Sequence, residues 1–186
     1  LDQVIKELPT VKTLVVVGVE GKDSFEAWLA PHRGAEFSPE LFGFEQPGFI
    51  LFSSGTTGKP KCIIHSAAGV LLKVLSEQGY HMDINESDRV LYSTTCGWMM
   101  WNWLVFGLGR GATIVLVDGS PGHPNVERLW QISSDEKLSF LGVSAALIDV
   151  WRQQNLEPKQ KYELSSLRTI ASTGSPLAAS GFDWVE

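Results

Sequence analysis

The sequence predicts an α/β fold, a mostly parallel β-sheet flanked by helices, and three observations carry that expectation. From residue 49 onward, short apolar or β-branched runs alternate with segments whose apolar residues recur at helical spacing. The connections between them are only a few residues long, which suits strands laid side by side with helices packed over both faces. Polar turns at 53–61, 94–97 and 172–176 each follow an expected strand. In such sheets ligands bind beyond the strands' carboxyl ends, so all three turns are expected to line one crevice.

The elements follow in order. Val4, Ile5 and Leu8 recur at helical spacing until Pro9, and the β-branched run 13–19 is expected as a buried strand. Residues 20–48 carry Pro31, Pro39 and Pro47 and mixed charge, so an irregular excursion is expected, with a helical turn near 25–29. Residues 49–52 and 62–64 are strands around a polar loop. Ser66 is placed to cap a helix running to about Gly79. Residues 89–94 form the next strand, 98–108 a helix, and 112–117 a strand. Asn125 caps a helix over 126–132; 138–143 is strand, 145–153 helix and 167–172 strand. Ser175 and Pro176 have the look of a further helix start. Neither an internal repeat nor a low-complexity tract is present.

Composition narrows the function classes. The chain has 186 residues, 44% hydrophobic and 19% charged, enough for one compact core, whether a domain or part of a larger one. Net charge is −6 and the longest basic run is Lys59-Pro60-Lys61, which gives a nucleic-acid partner no support. Cys62 and Cys96 lack metal-ligand spacing and are expected as free thiols in a reducing compartment, the cytosol. Residues 97–108 are too short and too interrupted by Asn102 to span a bilayer. The chain opens inside a helical pattern with no initiator Met, as a fragment does.

Four hydroxyls, two glycines and two lysines fall within residues 53–61. Unobstructed backbone N–H groups, hydroxyl donors and cations together suit a polyphosphate. A Walker loop is disfavoured, because Ser53 stands where its first glycine belongs and Pro60 follows Lys59. Other glycine patterns carry less. Gly107-x-Gly109-x-Gly111 precedes a strand and does not open a helix, and Gly142-x-Ser144-x-Ala146 lacks the second glycine of a hydrolase elbow. His32, His65, His81 and His123 are scattered and are expected to be surface or hydrogen-bonded residues, with no metal site.

The stretch Phe52-Ser53-Ser54-Gly55-Thr56-Thr57-Gly58-Lys59-Pro60-Lys61 resembles the signature loop of the adenylate-forming superfamily, which includes acyl-CoA synthetases, luciferases and peptide-synthetase adenylation domains. Thr94-Thr95-Cys96-Gly97-Trp98-Met99-Met100-Trp101-Asn102-Trp103, Asp118-Gly119-Ser120-Pro121 and Ser172-Thr173-Gly174-Ser175-Pro176-Leu177 are similar to the acyl-CoA synthetases that activate acetoacetate. The match runs from about Phe49 to the end, and residues 1–48 agree only loosely. The resemblance implies a two-step ligation: a carboxylate attacks ATP to give an acyl-adenylate and pyrophosphate, then CoA displaces AMP. Acetate or propionate as the acid, or a non-catalytic nucleotide-binding remnant, are the alternatives.

Residue roles follow from the same resemblance. Ser53, Ser54, Gly55, Thr56, Thr57, Gly58 and Lys59 are the expected phosphate contacts, with Thr57 and Lys59 the catalytic pair, and Lys61 shapes the loop or its entry field. Trp98, Met99, Met100 and Thr173 are expected at the acyl pocket, and Gly174, Ser175 and Pro176 along the adenine. Trp98 follows the Gly97 turn and is favoured for the site, whereas Trp101, Trp103 and Phe106 are expected in the core. Residues 1–186 correspond to part of the large N-terminal AMP-binding domain. The family's Mg²⁺-binding acidic motif, ribose aspartate and C-terminal lid with its lysine have no counterpart here, so the polypeptide alone is expected to be inactive.

Overall fold

The structure, a computed structural model, describes residues 2–21, 23–53 and 58–186. The chain divides into two compact units, Leu1–Phe42 and Gly43–Glu186.

In the first unit, α1 spans Asp2–Lys6 and α2 spans Phe25–Leu29, followed by a 3₁₀ turn at Ala30–His32. Ser24 caps α2, its hydroxyl accepting the Ala27 N–H at 3.1 Å. The strand expected over 13–19 does not form. Val16 makes one isolated parallel bridge to Ser24, and Val17 is 79% exposed. β-branched residues favour an extended chain, but a strand also needs a neighbour to take up its N–H and C=O groups. Among this unit's described residues, only the bridge supplies one.

In the second unit the expected alternation is present, and with it a mostly parallel sheet flanked by helices. A hairpin comes first: β1 (Pro47–Ser53) and β2 (Lys61–Ser66) pair antiparallel, with Ser53 opposite Lys61. It forms a sheet of its own. Ser66 accepts the Gly69 N–H at 3.2 Å and caps α3 (Ala67–Ser76), which ends in a π-helical turn at Glu77–His81. Then follow β3 (Arg89–Tyr92), α4 (Met99–Val105) with a 3₁₀ turn at Phe106–Arg110, and β4 (Thr113–Ile114). The remainder is α5 (Arg128–Asp135), β5 (Phe140–Ser144), α6 (Ala145–Gln153), α7 (Pro158–Lys161), β6 (Thr169–Thr173) and α8 (Ala179–Val185).

Several boundaries differ from the sequence expectation. β4 keeps two residues of the six expected, and among the described residues it pairs with β3 alone. Asn125 does not cap α5: its Oδ1 accepts the Glu127 N–H at 3.0 Å in a local turn, and the helix starts at Arg128. Likewise α8 begins at Ala179, after Ser175 and Pro176.

Strands β4-β3-β5-β6 form a parallel sheet in that order. After β3 the chain steps to one side through α4, then crosses back through α5 and continues outward through α6. Strand alternation sorts the core accordingly. Leu91, Leu141 and Val143 point to one face and pack with Trp130, Ile148 and Trp151 of α5 and α6. Val90, Tyr92 and Phe140 point to the other and pack with Trp103, Leu104 and Val74 of α4 and α3. Steps in opposite directions use opposite faces, as right-handed crossovers require. Each fully buried large side chain, such as Trp151 or Phe140, contributes about 1.5–3 kcal/mol.

Tyr92 and Gly142 are register partners on β3 and β5, and a Cβ at Gly142 would stand 2.1 Å from the Tyr92 ring. Only glycine admits that ring, so Gly142→Ala is expected to cost at least about 1–3 kcal/mol of stability, read as a lower urea midpoint.

Arg168, just before β6, ties this strand to the loop ahead of β3. Its guanidinium donates to Met82 O (2.8 Å), Asp83 O (2.7 Å) and the Asp88 carboxylate (2.7 Å). Burial alone would raise the Asp88 carboxyl, but the Ser139 hydroxyl, the Asn85 N–H and Arg168 together hold it below the usual carboxylate range. A depressed folded pKa stabilises above the unfolded value, and this is lost as pH falls through the folded one. Asp88→Asn is therefore expected to cost about 1–3 kcal/mol near pH 7, and much less near about pH 3, by urea unfolding at both values.

Candidate active site

The sheet's order reverses between β3 and β5, the position where parallel sheets open a crevice beyond their carboxyl ends. Two cavities lie there. An edge cavity of about 610 Å³ is lined by Thr94 and Thr95 after β3, Trp98, Gly119, Ser144 at the end of β5, and Gly174 after β6. An inner cavity of about 520 Å³ is lined by Leu51 and His65 of the hairpin, Lys73 of α3, Met99 and Asn102 of α4, and Ser172 of β6. Tyr92, Met100 and Thr173 line both and form the wall between them.

Helix α4 divides its aromatic and sulfur side chains by position. Trp103 (4% exposed) and Leu104 (1%) enter the core, while Trp98 (71%) and Met99 (53%) stand at the cavities. The helix is held at its core end. Fully buried Gln78, in the π-helical turn, donates its Nε2 to the Trp103 carbonyl at 2.7 Å. Trp103 also meets the Tyr92 ring edge-on at 5.8 Å and the Phe140 ring at 5.4 Å. Trp101, expected in the core, is instead half-buried at the edge cavity, because the first turn of α4 rises from the sheet's carboxyl edge. Phe106 is half-buried against the core and also reaches the inner cavity.

The structure thus brings Trp98, Met99, Met100, Thr173 and Gly174 to the crevice. Gly174 has φ +91°, a backbone conformation that strains any L side chain. Ser175 and Pro176 are exposed and line neither cavity. Of the polar loop, Ser53 ends β1 half-buried, and Gly58, Lys59 and Lys61 are exposed. Ser54, Gly55, Thr56 and Thr57 lie outside the described residues. The expected single crevice holds for the turns at 94–97 and 172–176. The polar loop instead belongs to an antiparallel hairpin whose base, at Phe49, Leu51 and His65, reaches the inner cavity.

Sequence reasoning missed Tyr92, Leu51, Asn102 and Ser144 as lining residues. Ser144 carried a signal, since it ends a strand and caps α6 by accepting the Leu147 N–H at 3.2 Å. The others are apolar or isolated in sequence and become neighbours only across the sheet. His65 is exposed at the inner cavity, and among the described residues no group of three or more His, Cys, Asp or Glu side chains comes together to hold a metal. Cys62 and Cys96 are exposed and unbridged. Among the described residues, no helix is long and apolar enough to cross a membrane.

A family model described as "AMP-binding enzyme" matches residues 1–186, including residues 1–48, where the motifs agree only loosely. An acetoacetyl-coenzyme A synthetase of Rhizobium meliloti (strain 1021) is 46% identical over 167 residues, 90% of this chain and 26% of that protein. The acetoacetyl-CoA synthetase of Gallus gallus is 39% identical over 198 residues, 98% of this chain and 30% of that protein. Among solved structures, acetoacetyl-CoA synthetase from Streptomyces lividans matches with a TM-score of 0.88 and 39% identity, over 99% of this chain and 29% of that one. The chain therefore spans between 26% and 30% of the length of these relatives.

Burial pushes the Tyr92 phenol up to about 12. An ordinary tyrosine ionises near 10, so above that value the folded chain keeps a proton the unfolded chain releases, and stability falls as pH rises from about 10 toward about 12. Tyr92→Phe is expected to reduce this alkaline loss, measured by urea unfolding at about pH 9 and about pH 11.

Proposed function

The chain belongs to the AMP-binding enzyme family, and from that premise we propose that it forms part of an acid–thiol ligase that activates acetoacetate with ATP and passes it to CoA. Residues 1–186 would be a portion of its AMP-binding domain. One observation carries the reading: two cavities meet at a wall of Tyr92, Met100 and Thr173, where the sheet order reverses. A ligation in two steps needs adjoining compartments, one for the acyl group and one through which the second nucleophile arrives. The names of the relatives favour acetoacetate over acetate, propionate or a non-catalytic remnant.

In the first step a carboxylate oxygen bonds to the α-phosphorus of ATP as the bond to pyrophosphate breaks. Negative charge grows on the leaving group, so cations, hydroxyls and N–H groups already aimed at it lower the barrier. Ser53, Ser54, Gly55, Thr56, Thr57, Gly58 and Lys59 take that role, with Lys61 beside Ser53 at the hairpin end adding to the field. The acyl group occupies the inner cavity against Met99, Met100 and Thr173. Gly174 lets the backbone approach the flat adenine, with Ser175 and Pro176 following it. In the second step the CoA sulfur reaches the acyl carbon past Trp98 in the edge cavity, and AMP leaves with the electron pair. Mg²⁺ is proposed as the cofactor alongside ATP and CoA; among the described residues no three His, Cys, Asp or Glu side chains gather to hold it, and no step runs through it. Two exposed, unbridged thiols suit a reducing compartment, and the cytosol is proposed.

Acid-dependent exchange of pyrophosphate into ATP by the full-length polypeptide tests the reading: acetoacetate is expected to outperform acetate and propionate. Thr57→Ala and Lys59→Ala are expected to slow that exchange about 100–1,000-fold. Unchanged rates remove the loop from the mechanism, and exchange driven better by acetate or propionate overturns the substrate.

A further inference from the structure

The inner cavity, at about 520 Å³, is far larger than a four-carbon acid. Size alone therefore cannot separate acetoacetate from its saturated analogue, butyrate. These acids differ in one group, the 3-oxo oxygen, which accepts hydrogen bonds and donates none. Discrimination requires a polar donor in an otherwise apolar pocket, because a buried donor left unpaired by the wrong substrate penalises that substrate.

The wall is largely apolar, and its polar members differ in their commitments. Lys73 pairs with Glu77, both of them lining residues. Tyr92 and Thr173 belong to the wall shared with the edge cavity, beside the reacting carboxylate and not at the far end of the acyl chain. His65 sits on the separate hairpin, and Ser172 is exposed on β6. Asn102 lies one helical turn beyond Met99 on the same face of α4, half-buried, and its side-chain amide enters none of the hydrogen bonds among the described residues. Its helix is immobilised next door, where Gln78 holds the Trp103 carbonyl at 2.7 Å and Trp103 packs on Tyr92 and Phe140. A donor on a fixed helix, facing a largely apolar cavity and with no hydrogen-bond partner among the described residues, is preorganised for a ligand acceptor.

We infer that Asn102 is the specificity-determining residue for the 3-oxo group, its side-chain N–H donating to that oxygen of the bound acid. The inference rests on the proposed function, since it assigns the far end of the same substrate. Asn102 acts on the ratio of acetoacetate to butyrate and leaves the phosphate chemistry alone.

The test is acid-dependent pyrophosphate exchange by the full-length polypeptide with acetoacetate and with butyrate, for the unsubstituted protein, Asn102→Leu and Asn102→Asp. Leucine keeps the branched shape without the donor; aspartate keeps shape and size and presents only acceptors. Both are expected to lower kcat/KM for acetoacetate about 10–100-fold, while with leucine butyrate holds or rises because the unpaired donor is gone, so that the ratio collapses. A parallel fall for the two acids in Asn102→Leu assigns Asn102 to folding and overturns the inference, as does an unchanged ratio. Absence of acetoacetate-dependent exchange in the unsubstituted protein overturns the proposed function itself, and this inference with it, before any variant is compared.

Discussion

The Tyr92 ring lies where a side chain on Gly142 would have to stand, and the arrangement of the crevice depends on that close approach. With glycine at the register position, β3 and β5 pair at normal spacing while a full aromatic ring occupies the space above the strand. Trp103 packs edge-on against that ring and Phe140 against Trp103, so three aromatics from β3, α4 and β5 form one block. Such contacts add about 0.5–1.5 kcal/mol each beyond the area they bury. Their larger effect is geometric. They anchor the core end of α4, and a helix with one end fixed presents its other end, at Trp98 and Met99, in a defined place.

The second constraint is the direction of the chain. Because β4 joins one side of β3 and β5 the other, the helices leaving those strands cross opposite faces, and the turns after β3 and β5 splay apart. The gap they leave is the crevice. Arg168 secures the opposite end of the sheet, tying the start of β6 to the loop before β3 through two carbonyls and the Asp88 carboxylate. The amino end of the sheet is thus cross-linked by charge, while its carboxyl end is left to loops and cavities. That distribution leaves backbone and side-chain groups near the crevice free for a ligand.

The polar loop stands in a different structural setting. Among the described residues its strands pair with each other alone, antiparallel, and their outward residues Ile50, Phe52 and Ile64 are exposed. The hairpin reaches the inner cavity through Phe49, Leu51 and His65 at its base, while Ser53 and Lys61 mark its far end. In the proposed enzyme this separates two tasks: phosphate contacts are carried on a hairpin with its own hydrogen-bond ladder, and the acyl wall is carried on a helix packed into the core.

What the sequence by itself determined is local. Periodicity placed α3, α6 and the strands of the parallel sheet, since side-chain spacing reflects the face an element buries; the cap at Ser66 was legible because a hydroxyl before a helix has one obvious use, whereas Asn125 turns on itself and α8 starts after Ser175. The loop composition and the Gly-Trp-Met-Met-Trp-Asn-Trp block carried the family and its crevice residues. The strand at 13–19 was misjudged because β-branched composition does not supply a pairing partner, and Trp101 because helical spacing does not say which face of an aromatic helix meets the sheet. Only the tertiary structure decided the order β4-β3-β5-β6, the detachment of the hairpin, the Tyr92–Gly142 contact and the meeting of two cavities at Met100 and Thr173. The Tyr92–Gly142 pairing joins residues about fifty positions apart, and all of these arrangements are selected by the joint packing of the elements, which no local pattern encodes.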